Sequence, residues 1–170
     1  MFCKLQISDV EKTTFPAVEF DPEYDDARSV IASICDGLDE AGTATFIVSG
    51  FGDSAWPFDV ATDLVTLIEQ LPEALTVLEL RSGEFRIDFY EQGIERLIFF
   101  NCSGDVTELR CQSRTDWEPS PNEMRVRSSE LAAMLSAVYR QFMNVAMATP
   151  MPDAARKALT EWAVMRNVAA

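Results

Sequence analysis

Carboxylates are the side chains of this sequence with both the numbers and the spacing for acid–base chemistry. The chain carries twenty-eight aspartates and glutamates in 170 residues and no histidine. Lack of histidine removes Ser-His-Asp and Cys-His activation of a nucleophile in their usual forms, together with the commonest transition-metal ligand. Ser54 and Ser103 have no identifiable base. Asp88, Glu91 and Glu95 fall around one turn, and Asp53, Asp59 and Asp63 around another. Such groupings are the raw material of a carboxylate-based, glycosidase-like hydrolase, in which one acid protonates the leaving group and another attacks or activates water. In so acidic a chain they also arise by chance, so this reading is the alternative, beside a non-catalytic scaffold or regulatory subunit.

Metal and cofactor motifs are missing. Cys3, Cys35, Cys102 and Cys111 lack the short pairing of zinc sites and are expected as small buried apolar residues. The run VEFDPEYDD at 18–26 has no EF-hand spacing and reads as a solvated acidic loop. Gly50-Phe51-Gly52 lacks a following Lys-Ser or Lys-Thr, and Asp59 and Asp63 would repel an anion, so no phosphate site is expected there. No cofactor and no metal are implied.

The same residues make a stronger case as a binding surface. Net charge is −14, of which residues 1–63 hold −10 (thirteen acids, three bases) and residues 64–170 hold −4 (fifteen acids, eleven bases). A field of that sign disfavours nucleic acid and anionic lipid and steers in a basic protein. Tyr24, Trp56, Tyr90 and Trp117 are aromatics bordered by acids, the composition of anchors with an acidic rim. The expected partner-binding residues are Asp53, Trp56, Asp59, Asp88, Tyr90, Glu91, Asp116 and Trp117. No apolar run approaches the ~20 residues that span a bilayer, and MFCKLQISDV lacks the layout of a secretory leader, so a cytoplasmic address is expected.

Three stretches, GFGDSAWPFDVATDL (50–64), DFYEQGIER (88–96) and CQSRTDWEP (111–119), together resemble a pattern in small acidic bacterial proteins similar to the immunity proteins of toxin systems. The resemblance covers about the middle half of the chain. It implies an antitoxin that binds and neutralises a basic effector, such as a toxin domain with nuclease activity, and it implies no catalytic residues.

The elements that must position these residues follow from periodicity. Phe85 to Cys111 reads as a three-stranded antiparallel meander (about 84–112), with turns at Gln92-Gly93 and Ser103-Gly104-Asp105 where glycine accepts positive φ. A three-residue loop over 91–93 sets Asp88 opposite Arg96 and avoids a like-charge pair. It makes Phe85, Ile87, Leu97, Phe99, Leu109 and Cys111 the core face, with Cys102 and Cys111 on opposite faces. A short strand over 1–7 and another over 44–51, within the same sheet, precede it. Helical stripes run over 26–41 (Val30, Ile31, Ile34, Cys35, Leu38), over 60–71 with a break or kink at Pro72 and a short second helical piece over 73–80, and over 130–148. The caps are Asp25 or Asp26, Asp59, and Ser128 or Ser129, and Asp153 opens a last helix with Leu159, Trp162, Ala163 and Arg166 on one face. The residues between the meander and the third stripe, 113–123, are expected to cross a sheet edge as loop. The sum is a single α+β domain over 1–170, an antiparallel sheet with amphipathic helices packed mainly on one face.

Overall fold

The computed structural model describes residues 1–8 and 17–164, and the helical face expected to include Arg166 lies partly outside them. Among the described residues the fold is α+β, with elements β1 (Phe2–Ile7), α1 (Ala27–Glu40), β2 (Ala44–Ser49), α2 (Asp63–Leu80), β3 (Ser82–Phe89), β4 (Arg96–Ser103), β5 (Val106–Ser113), β6 (Glu123–Arg127), α3 (Ser128–Ala148) and α4 (Asp153–Val164). β3-β4-β5-β6 form an antiparallel meander, while β1 and β2 pair only with each other in a second sheet. β2 therefore lies outside the sheet of the meander, contrary to the expectation from its composition. The meander also has a fourth strand, hidden in sequence because EMRVR follows a turn-rich stretch and has no fully buried residue to mark its inner side.

Helix ends follow local chemistry. Asp26 caps α1, its carboxylate accepting from the N–H of Arg28 (2.8 Å) and Ser29 (3.1 Å), and Gly42 at φ 61° lets the chain leave it. α2 runs unbroken through Pro72, because tertiary burial of Leu64, Leu67, Ile68, Leu71, Leu75 and Leu78 outweighs one lost backbone hydrogen bond. Thr62 rather than Asp59 occupies its N-cap, and neither Ser128 nor Ser129 caps α3, which starts after Arg127. The Ser128 hydroxyl instead shares a buried hydrogen bond of 2.9 Å with Thr107, fastening the start of α3 to β5.

Both meander registers differ by one residue from the expected ones. Phe89 pairs with Arg96, Ile87 with Ile98 and Phe85 with Phe100. Across the next turn, Ser103 pairs with Val106, Phe100 with Leu109 and Ile98 with Cys111. β4 is accordingly inverted. Ile98, Phe100 and Cys102 point inward with Phe85, Ile87, Phe89, Leu109 and Cys111, while Phe99 lies half-buried on the outer face. Cys102 and Cys111 thus share the inner face, and Asp88 stands opposite Leu97. The cause lies in the first turn. Its connection spans 90–95, with Ile94 folded into the core and Glu95 at φ 47°, a longer route than any tight hairpin counted from Gly93.

The helices cover the inner face. α2 lies along β3, α3 runs beside α2 and β1, and α1 and α4 complete the layer. At the edge of the meander, Gln70 of α2 accepts from the Asp88 N–H (2.8 Å) and donates to its carbonyl (3.1 Å), so a side-chain amide satisfies backbone groups that an edge strand would leave open. Among the described residues no helix covers the opposite face of the four-stranded sheet, and Glu84, Arg86, Asn101, Glu108, Arg110, Glu123 and Arg125 are exposed on it.

Candidate functional site

Arg96 begins β4 at the end of the 90–95 turn, and the structure builds a cage around it. Phe51 and Gly52 take positive φ (56° and 88°), folding 50–53 into a tight turn in which Gly50 and Asp53 bond each other through their backbones. A Cβ on Gly52 would collide with the Ser120 carbonyl, so only glycine lets this turn dock against the 114–121 loop. The docking brings Trp56 and Trp117 together at 5.9 Å between ring centroids. The Arg96 guanidinium sits 4.3 Å from the Trp56 ring centre and 3.5 Å from that of Trp117. Both of its Nη atoms donate to Asp53 Oδ2 at 3.2 Å. Arg96 is 5% exposed and Trp56 4%. Burial lowers the Arg96 pKa and the Asp53 bond opposes that, which keeps a charge-assisted pair between two aromatic faces.

Of the expected partner-binding residues, Asp53, Trp56 and Trp117 are brought together, and their mutual ligand is a residue of this chain. Asp116, next to Trp117, is exposed. Asp88 is taken by Arg114 in a bidentate pair, 2.7 Å at each oxygen, a partner at the start of the loop that follows β5 in place of Arg96. Tyr90 donates to Glu69 at 2.7 Å and accepts from Arg28 at 3.0 Å, and Arg28 also reaches Glu69 (2.9 Å) and Glu91 (3.4 Å). This network ties the hairpin tip to α1 and α2. The sequence signal for it was only that Arg28 is the lone base between Lys12 and Arg81.

Asp59 is exposed and accepts from the Thr62 N–H and hydroxyl, each at 2.7 Å, shaping the turn into α2. Asp63, at the first position of α2, is 3% exposed; one oxygen accepts the Asp59 N–H (2.9 Å) and the other, Oδ1, has no partner. Burial pushes its pKa up to about 6, the Asp59 N–H lowers it, and the charges of Asp59 and Glu91 raise it further. The folded protein thus holds this proton more tightly than the unfolded chain. The ionised form costs stability in full above pH ~6, and the cost fades as pH falls toward the unfolded value near 4. Asp63→Asn, which keeps the acceptor without the charge, is expected to raise stability by about 1–2 kcal/mol at pH 7.5 and to lose that advantage near pH 4. Urea unfolding at the two pH values measures this, and an equal gain at both would show that charge is not the cause.

All four cysteines are free and buried, and burial pushes the thiols of Cys3 and Cys111 up to about 12 and about 11. Thiols held this far from ionisation are poor nucleophiles. Among the described residues no cluster of three or more carboxylate, thiol or imidazole groups is disposed to hold a metal ion. No helix among them is long and apolar enough to cross a membrane.

One group of acids lies on the stretch before α1 and at its far end. Tyr24 is 79% exposed, the highest value among the large hydrophobic side chains of the described residues. The carboxylates around it are held by backbone N–H groups: Asp25 accepts from Asp21 (2.8 Å), Asp21 from Glu23 (3.0 Å), and Asp26 caps α1. Asp36, Asp39 and Glu40 crowd the last turn of α1, which has no base to offset the helix dipole. Asp36 titrates above its usual range, first through burial and then through the charges of Glu40 and Asp39. No protein-family model, no curated protein and no solved structure matches this chain.

Proposed function

We propose that this protein is an antitoxin-like binder that neutralises a basic protein partner, such as a toxin domain with nuclease activity, by covering it with the acidic surface around Tyr24. The observation that carries this reading is Tyr24 itself: an aromatic ring 79% exposed between Glu23 and Asp25, in a turn whose aspartates have backbone amides as partners. The Asp21 carbonyl accepts from the Tyr24 and Asp25 N–H groups (3.1 and 2.8 Å), so the ring is presented on a formed turn. A pre-ordered anchor loses less entropy on binding than a free loop would. Carboxylates that form no ion pair among the described residues supply the rim, and an incoming lysine or arginine would also relieve the repulsion at Asp36, Asp39 and Glu40. By contrast Asp53, Trp56, Asp88, Tyr90, Glu91 and Trp117 already have internal partners and serve this reading as supports for the hairpin tip.

The test is capture of basic proteins from the source cell at low salt, followed by titration of the captured partner with wild-type protein and with Tyr24→Ala. Truncating an anchor of this kind is expected to cost about 2 kcal/mol or more, some thirtyfold in Kd. Equal affinity for both would remove Tyr24 from the interface. The partner's own activity, assayed with and without this protein, separates inhibition from scaffolding: a partner that stays active when saturated would sink the neutralising role.

A further inference from the structure

We infer that the helix-free face of the four-stranded sheet is a self-recognition surface, on which a second copy of this chain docks face to face about a twofold axis running across the strands. The registers place two rows of outward side chains on this face. One row is Glu84, Asn101, Glu108 and Arg125, and the row one pleat repeat away is Arg86, Phe99, Arg110 and Glu123. They line a shallow bowl of about 970 Å³. A twofold axis lying between the rows and perpendicular to the strands would exchange them while keeping each strand opposite its own copy. Glu84 would then face Arg86 of the second copy, Glu108 would face Arg110, and Arg125 would face Glu123, with Asn101 against Phe99 on β4. Every charge in the two rows meets its opposite, as an isologous interface requires of a self-complementary patch.

Two further observations favour a second copy as the occupant. The chain carries −14 overall, so most approaches of two copies are repulsive, yet these rows hold three carboxylates and three guanidinium groups and are locally neutral. Half of the six charges are also uncommitted. Glu108 pairs with Arg125 at 2.6 Å and Arg110 lies 4.9 Å over the Phe99 ring, whereas Glu84, Arg86 and Glu123 form no ion pair among the described residues. Four strands of at most eight residues offer a patch of roughly 500 Å² per copy, short of the ~800 Å² per partner of tight complexes. The dimer is accordingly weak and concentration-dependent, and it leaves the Tyr24 turn on the stretch before α1 outside the interface.

Sedimentation of the full chain over a wide concentration range tests the pairing at low and at high salt. The expected result is reversible dimerisation that weakens about tenfold or more in high salt. Glu84→Arg and Arg86→Glu serve as probes because neither residue has an internal ion pair. Each alone sets like charges together twice across the axis and should weaken the dimer about tenfold or more. The double variant Glu84→Arg/Arg86→Glu restores opposite signs and should recover it. An equimolar mixture of the two single variants should form a heterodimer that neither forms alone. A chain that stays monomeric throughout, a dimer indifferent to the single reversals, or a mixture that fails to associate would each overturn the assignment.

Discussion

Replacing Arg96 with alanine is expected to destabilise the fold by about 3–5 kcal/mol, read as a lower urea midpoint at unchanged slope. Arg96 lies at the crossing of three segments that are distant in sequence: Asp53 and Trp56 in one loop, Trp117 in another, and the start of β4. Truncation removes the plate between the two indoles and leaves Asp53, whose side chain is only 25% exposed, without its cation. Lysine keeps the charge but not the planar fork or the stacking area, so Arg96→Lys should recover only part of the loss. Because much of the cost is an abandoned carboxylate, the double variant Arg96→Met/Asp53→Asn should be more stable than Arg96→Ala alone. Additive losses in the pair would mean that the two side chains are not coupled in the fold.

Phe100→Ala should cost about 3–5 kcal/mol and Phe99→Ala about 1 kcal/mol or less, although the two residues are neighbours of the same type. Phe100 is 1% exposed and stacks on Phe85 with centroids 4.2 Å apart and planes within 7°. Phe99 lies on the outer face under Arg110. Paired urea titrations decide the matter, and a larger loss from Phe99→Ala would place β4 in the opposite register. Phe99→Ala is also the milder perturbation of the outer rows, so the two measurements separate the core of the sheet from its free surface.

The candidate site shows how far side-chain chemistry can be read before its neighbours are known. That Asp88, Tyr90 and Glu91 lie around one turn and Asp53 and Trp56 around another was legible, since turn residues mark such regions; that Trp117 joins them was not. That they bind one another and this chain's own arginines was not, because Arg28, Arg96 and Arg114 reach them from other elements. Tyr24 carried the same composition as the other aromatics, and only exposure distinguishes it.

Residue order alone determined the α+β class, the helical stripes of α1, α2 and α3, a cap at Asp25 or Asp26, and the two turns at Gly93 and Gly104. Each of these is set within a few residues, by side-chain periodicity or by the backbone freedom of one glycine. Tertiary structure decided the parity of β4, the separate pairing of β1 with β2, the fourth strand, and the partner of every charge at the tip. Leu97, Ile98, Phe99 and Phe100 are four consecutive apolar residues, so either face of β4 satisfies alternation equally well. The choice falls to what the inner face packs against, α2 and α3, and to Ile94, which draws the turn inward. A charge has the same freedom on a larger scale: many bases in the chain could neutralise Asp88, and only the docking of the 114–121 loop selects Arg114.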